Sequence, residues 1–296
     1  MLFKDYLDKY QIDYKTDFPT ARISSIKAGG YSKYLLYPKS PKELILIIRL
    51  CKVFSVQFKI IGGCTNTFVC DEGYRGALIL TKHLSQIICS DGKFIAEAGA
   101  SLNALLKTAL SLEFEIKNEL FGIPGSIGGA VRNNAGAFGA EISDAFESGL
   151  FYDIDNDITV NLTEKDLCFA YRYSILQSEN YVLLRGKFKG IKSSPEAISA
   201  SFSEYSRKRR ASQPSTPSLG SFFKRSGEII PARLIDRAGL KGKTVGGAEV
   251  STKHAGFIIN GNAATATDID TLAKEIESII FERYNVSLIR EVEMIK

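Results

Sequence analysis

The chain has little from which a metal centre or a disulfide framework could be built. In 296 residues it has two histidines, His83 and His254, and five cysteines, Cys51, Cys64, Cys70, Cys89 and Cys168, with no C-x-x-C pair among them. Metal sites need several such ligands in register, so reduced thiols and no metal are expected. Also missing is the run of roughly 20 apolar residues that a membrane span requires. The opening stretch MLFKDYLDKYQIDYKTDF alternates charged with apolar residues and has no continuous apolar core of the signal-peptide kind. These absences predict a cytoplasmic protein with no membrane partner. No internal repeat or low-complexity tract is visible.

Hydrophobic content of 45% over this length allows two or three small domains, each burying its own core. The formal charge of +5 is modest but uneven, with Arg207, Lys208, Arg209 and Arg210 forming one basic run. A solvated helix face and a site for an anionic small molecule both remain open for that run. Nucleic acid is the weakest alternative, because no stacking aromatics interleave with the charges.

Local signals alternate helix and strand. Ser40-Pro41-Lys42-Glu43 reads as a helix start with a capping box, and the apolar run Leu44 to Phe54 continues it. A strand from Phe58 to Ile61 follows and breaks at Gly62-Gly63. Further strands are predicted at Leu78 to Leu80, Leu84 to Cys89 and Phe94 to Ala98, with a helix from Leu102 to Leu112 capped by Ser101. Later come a strand from Tyr181 to Phe188, a helix from Pro195 to about Arg210, and a turn-rich stretch from Gln213 to Ser218. A short helix from Pro231 to Ala238 is stopped by Gly239, a longer one from Asp268 to Tyr284 is capped by Thr267, and Ser287 to Ile295 alternates like a strand.

The densest chemical signal runs from Gly122 to Gly139, GIPGSIGGAVRNNAGAFG, rich in glycine and nearly free of large side chains. Glycine at this density costs conformational entropy. Two explanations stand: successive amides brought against a phosphate as an anion-binding nest, or a tightly packed turn system. No Lys-Ser or Lys-Thr follows, which excludes a P-loop, and the spacing is not that of G-x-G-x-x-G after a strand. A second glycine turn, Gly62-Gly63-Cys64-Thr65-Asn66-Thr67, ends the strand Phe58 to Ile61. Two such loops suit a ligand with two phosphates.

The stretch from Gly122 to Gly139 resembles the G-I-P-G-[ST]-x-G-G-A-x-x-x-N-A-G-A-[YF]-G signature of the UDP-N-acetylmuramate dehydrogenases, also called UDP-N-acetylenolpyruvoylglucosamine reductases. Further matches follow in the family's order: Tyr171-Arg172-Tyr173-Ser174, Gly220-Ser221-Phe222-Phe223-Lys224-Arg225, Gly246 to Asn260, and Arg290-Glu291-Val292. They extend from about Lys27 to Ile295, and the short link between Arg172 and Ser221 is similar to the family type that lacks a tyrosine-bearing insertion. The resemblance implies an α+β fold: a two-lobed FAD-binding domain of the vanillyl-alcohol-oxidase (PCMH) type and a C-terminal α+β substrate-binding domain. The expected division is residues 1–82 joined by the strand 287–296, then 83–190, then the UDP-sugar domain at 191–286.

By the same resemblance, non-covalent FAD is expected at Gly62, Gly63, Cys64, Thr65, Asn66 and Thr67, and at Gly122, Ile123, Pro124, Gly125, Ser126, Gly128, Gly129, Asn134 and Ala135. Cys64 and Thr65 stand where the family's first loop usually has glycine and serine. The implied reaction is reduction of UDP-N-acetylglucosamine enolpyruvate by NADPH, in peptidoglycan precursor synthesis, by a chain expected to be monomeric. Hydride attack on that double bond builds negative charge towards the carboxylate, which a fixed cation or acid must stabilise. Arg172 and Glu291 are the candidates. Ser221 is expected to protonate the α-carbon, with Lys224 near the alkoxide it leaves, and Arg210 is expected on the UDP phosphates. His83 and His254 are read as structural.

Three other readings weigh against these. Ser221-Phe222-Phe223-Lys224 also fits the S-x-x-K of serine acyl-enzymes, but so do Ser24 to Lys27 and Ser90 to Lys93, and no Ser-Asp-Asn or Lys-Thr-Gly accompanies them. A flavoprotein sugar oxidase and a non-catalytic nucleotide-binding module are the other two.

Overall fold

The structure is a computed structural model that describes residues 2–296. Seven α-helices punctuate it: α1 (Phe3–Lys9), α2 (Pro41–Val53), α3 (Leu102–Ser111), α4 (Ile127–Arg132), α5 (Pro195–Ser212), α6 (Pro231–Arg237) and α7 (Ala266–Tyr284). The chain forms two compact units. The first gathers Met1–Lys15, Leu35–Gly63 and Ala77–Arg209; the second gathers Thr16–Tyr34, Cys64–Gly76 and Arg210–Lys296.

In the first unit a five-stranded antiparallel sheet runs in the order Ile158–Thr163, Phe146–Asp153, Tyr181–Lys189, Lys93–Glu97, Ile87–Ser90. Its apolar face carries Phe94, Phe146, Phe151 and Phe188, all buried, against Leu105 and Leu106 of α3 and Ile127 and Val131 of α4. Phe58–Ile61 pairs in parallel with Ala77 to Leu80, and a parallel pair needs a long crossover, not a tight turn. Ile198 and Phe202 of α5 join the same core, so this helix stays with the first unit as far as Arg209.

The second unit packs α6 and α7 on a four-stranded sheet ordered Ser218–Ser221, Phe257–Asn260, Ala248–Val250, Thr244–Val245. Ile269, Leu272, Ala273, Ile276 and Ile280 recur at helical spacing along α7 and are fully buried. The chain's end returns as two short strands. Ile289–Arg290 pairs with Phe223–Lys224, and Glu293–Ile295 lies parallel to Thr67–Val69.

Several local expectations change in detail. Ser40 does cap α2 through the Glu43 amide, but the Glu43 carboxylate accepts from the Lys39 amide at 2.7 Å and not from Ser40, so the box closes one residue early. Ser101 precedes α3 without a side-chain cap bond. Its backbone is instead bridged to Ser126. The cap of α7 is Thr265 and not Thr267, because Thr265 and Asp268 form the reciprocal box two residues earlier. Leu84 ends a 3-10 turn over Thr81–His83, and the strand expected from Leu84 starts only at Ile87. Among the described residues no helix is long and apolar enough to cross a membrane.

Ile276 is fully buried in the centre of α7. Ile276→Ala is expected to destabilise the second unit by about 2–5 kcal/mol, read as a lower urea midpoint followed by a probe in that unit. A change below about 0.5 kcal/mol would show that α7 does not carry this core.

Candidate functional site

In the first unit the glycine stretch is held from both ends. The side chain of Asn103 on α3 accepts from the Gly122 amide at 2.7 Å and donates to the Ile123 carbonyl at 2.9 Å. Gly122 has a φ of +87°, and a Cβ there would press on the Arg209 side chain. Arg209 donates to the Phe121 and Glu119 carbonyls, and its burial pulls the guanidinium below its ordinary value. One member of the basic run is thus a structural strut, while Arg207, Lys208 and Arg210 are exposed.

Ser126 caps α4, accepting from the Gly129 amide at 3.3 Å. The amides of Ile127 and Gly128 donate to the Ala100 and Ala98 carbonyls at 2.8 and 2.7 Å. At residues 127–129 the packed-turn explanation therefore describes the amides. Glycine serves there to seat α4 on its neighbours, since a Cβ on Gly128 would lie 3.1 Å from the Ala98 carbonyl. Gly62 meets the same place from the other loop, where a Cβ would run into Ser126 Oγ.

The far end of the stretch leads to Arg172. Asn134 is 1% exposed and has a φ of +41°. Its side chain donates to Glu141 Oε2 at 2.6 Å and to the Ala170 carbonyl at 3.0 Å, and accepts from the Ser143 amide. Arg172 itself has a φ of +55°, a backbone strain for a non-glycine residue. Its guanidinium donates to the Gly136 carbonyl at 2.9 Å and stacks near the Tyr171 ring, while Gln177 donates to its carbonyl. The glycine stretch and Arg172 are thus brought together, with Asn134, Gly136 and Gln177 as the ties.

The second unit assembles the other candidates around the returning C-terminus. Ser221 ends its strand opposite Phe257 and is exposed. The Glu291 amide donates to the Phe222 carbonyl at 2.9 Å, and Asn66 Nδ2 donates to the Glu291 carbonyl at 2.9 Å. The Glu293 amide then returns to the Asn66 carbonyl at 3.0 Å. Asn66, Ser221, Lys224 and Glu291 therefore share one main-chain network, in which the Asn66 side chain holds protein. Arg210 enters this unit through its carbonyl, which accepts from Lys253 Nζ. His254 accepts from the Gly256 amide and lies edge-on to Phe257, and burial lowers its pKa, consistent with a structural role.

Sequence reasoning missed Arg290, whose guanidinium bridges Glu277 and Asp270 of α7 next to Glu291. A signal was present, because Asp270, Lys274 and Glu277 stand at spacings of four and three residues, one face of a helix. Among the described residues no three His, Cys, Asp or Glu gather in a way that could hold a metal ion.

Residues 32–152 match the FAD binding domain, and residues 213–295 match the C-terminal domain of UDP-N-acetylenolpyruvoylglucosamine reductases. A reductase of that name from Caldicellulosiruptor bescii is 38% identical over 298 aligned residues, covering 100% of this chain and 95% of the relative. The chain belongs to the UDP-N-acetylenolpyruvoylglucosamine reductase family. The crystal structure of the reductase of that name from Thermus caldophilus superposes with a TM-score of 0.81 at 27% identity, covering 96% of this chain and 99% of that one. A BBE-like protein of Physcomitrella patens shares the fold alone, with a TM-score of 0.53 at 17% identity over 65% of this chain and 45% of that one. The protein is accordingly an oxidoreductase with an α+β fold, an FAD-binding domain followed by the family's C-terminal domain. At Gly62 and Gly128 a Cβ would meet Ser126 and Ala98, so these two glycines keep the loops' main chain close-packed on the protein's own neighbours.

Cys64, in the first of those loops, has a φ of +49° and is buried, which pushes its thiol up to about 12. Near neutral pH it is a neutral, shielded thiol, whereas Cys168 is exposed. A thiol reagent is expected to modify the exposed Cys168 readily and the buried Cys64 far more slowly. Peptide mass mapping against time checks this, and labelling of Cys64 as fast as Cys168 would contradict it.

Proposed function

We propose that the protein reduces UDP-N-acetylglucosamine enolpyruvate to UDP-N-acetylmuramate with NADPH, in the cytoplasm, supplying a precursor for peptidoglycan and hence for cell shape and division. The observation that carries this reading is the main-chain bond from Glu291 to Phe222, which keeps an acid beside the residue that follows Ser221, in a chain related to these reductases over its whole length.

The roles follow from what the substrate needs. Its double bond is polarised only if charge building on the carboxylate side is stabilised, and a guanidinium held by Gly136 and Tyr171 is a preorganised cation of the right shape. Arg172 is assigned to that carboxylate. Glu291 is assigned to stabilise the charge that develops on that side of the double bond. FAD, held by the glycine loops, would supply the hydride chemistry, with NADPH as the electron source. Ser221 then gives its hydroxyl proton to the α-carbon from one side, which sets the stereochemistry. Lys224, in the strand that follows Ser221, supplies positive charge for the alkoxide left behind.

Arg210 is assigned to the UDP phosphates, and Lys224 to substrate binding beside Ser221. The loops Gly62 to Thr67 and Gly122 to Gly129, with Asn134 and Ala135, are assigned to FAD. Cys64 and Asn66 serve there through main chain, since the thiol is buried and the amide is engaged with Glu291.

The purified protein is expected to be yellow. Ser221→Ala should leave bleaching of the flavin absorbance by NADPH unchanged while slowing its return on adding the enolpyruvyl nucleotide by about 10²–10⁴-fold, the usual worth of a general acid. Stopped-flow absorbance separates the two halves. Equal loss in both would remove Ser221 from the role, and rapid reoxidation by oxygen without the nucleotide would favour a sugar oxidase instead. Arg172→Lys keeps the charge but loses the planar fork, and should lower kcat for the nucleotide without abolishing flavin binding.

A further inference from the structure

The proposed acid Glu291 lies in a C-terminal segment that is paired with the rest of the second unit only through strands of two and three residues, Ile289–Arg290 and Glu293–Ile295. Strands this short position a side chain poorly by themselves. Beside Glu291 stands a half-buried Arg290 with an unusual set of partners. Its Nε and Nη2 donate to the two oxygens of Glu277 at 2.5 and 3.1 Å, and Nη1 donates to Asp270 at 2.5 Å. Both carboxylates come from α7, the most deeply buried helix of this unit. The guanidinium also lies over the Phe222 ring, with its carbon 5.9 Å from the centroid. Phe222 in turn follows Ser221 and accepts the Glu291 amide.

Arg290 is not a spare cation for substrate. Asp270 is also paired with Lys274 at 2.8 Å, so Lys274, Asp270, Arg290 and Glu277 form a chain of two positive and two negative charges that cancel. Three of the guanidinium's donor positions are engaged with carboxylates. What the cluster does is tie the strand Ile289–Arg290 to a rigid helix next to the point where the Glu291 amide bonds to the Phe222 carbonyl. An edge strand residue with an arginine exposed to water would need none of this.

We propose that Arg290 is a positioning residue for the reduction of the nucleotide: by clamping α7, its strand and the Phe222 ring together, it sets where the Glu291 carboxyl and the Ser221 hydroxyl are presented. Asn66 holds the same segment from the other side, through the Glu291 carbonyl and the Glu293 amide. The inference rests on the proposed roles of Glu291 and Ser221, and goes beyond them in naming the device that aligns the pair. A bidentate fork to Glu277 with a third bond from Nη1 to Asp270 is a geometry that lysine cannot reproduce, so charge and alignment can be separated by one substitution.

The test uses the flavin-loaded full chain and two variants, Arg290→Lys and Glu277→Gln, the second on the helix and less demanding of the fold. For Arg290→Lys, kcat for the enolpyruvyl nucleotide is expected to fall on the order of 10- to 100-fold, as a misplacement near 1 Å does. KM should change by less than about threefold, because the lost alignment acts in the transition state and not on ground-state binding, and bleaching by NADPH should keep its wild-type rate. Glu277→Gln should fall between wild type and Arg290→Lys. Amide hydrogen exchange at residues 222–224 and 288–293 should quicken in both variants, a readout independent of turnover. Wild-type kcat, unchanged exchange in those segments, or equal slowing of the NADPH half in Arg290→Lys would each overturn the positioning role while leaving the function standing. A wild-type enzyme that does not act on the nucleotide would overturn the function and this inference together, whereas Ser221→Ala and Glu291→Gln that both keep the wild-type rate would overturn the residue roles and this inference and leave the function standing.

Discussion

A single main-chain hydrogen bond, from the Glu291 amide to the Phe222 carbonyl, organises the chemistry of the second unit. It joins residues far apart in sequence, and every other feature around it serves to keep it made. The side chain of Asn66 takes the next carbonyl, the Phe223–Lys224 strand pairs with Ile289–Arg290, and Arg290 anchors the arrangement to α7. A main-chain hydrogen bond contributes only about 1 kcal/mol net. Its value here is geometric, since side chains on either side of it can differ in chemistry and yet keep a constant separation.

The first unit solves a different problem with different material. Glycine and small residues bring loops close together, and the cost in chain entropy is offset by anchoring side chains at both ends, Asn103 and Arg209 at one and Asn134 at the other. Arg172 adopts a left-handed backbone conformation because it sits in a tight bridge between Ala170 and Tyr173, whose amides and carbonyls pair reciprocally. The bridge turns its side chain back onto the Gly136 carbonyl. Strain of this kind persists where the surroundings over-determine a residue's place.

Much of the local structure was legible from residue order. The helices at residues 41–53, 102–111 and 231–237 follow from caps, proline and apolar periodicity, and the glycine stretch announced itself by composition. Cap identity was harder, because Thr265 and Thr267 are both good caps and only the placing of Asp268 decides between them. The roles of Asn66 and Arg290 were less accessible still. Asn66 lies in a loop whose composition suggests a ligand, and nothing in that loop tells that its amide reaches a carbonyl 225 positions away. Arg290 is an ordinary charged residue in a short strand until α7 supplies Glu277 and Asp270. Local pattern encodes helices and turns, whereas pairing between distant segments depends on the complete packing of both.

The late return of the C-terminus has a consequence for synthesis. Thr67–Val69 emerges from the ribosome long before its parallel neighbour Glu293–Ile295. The first unit ends at Arg209 and can complete its sheet while translation continues. Thr67–Val69 must wait for that partner, and until it arrives presents an unpaired strand edge, a surface prone to self-association.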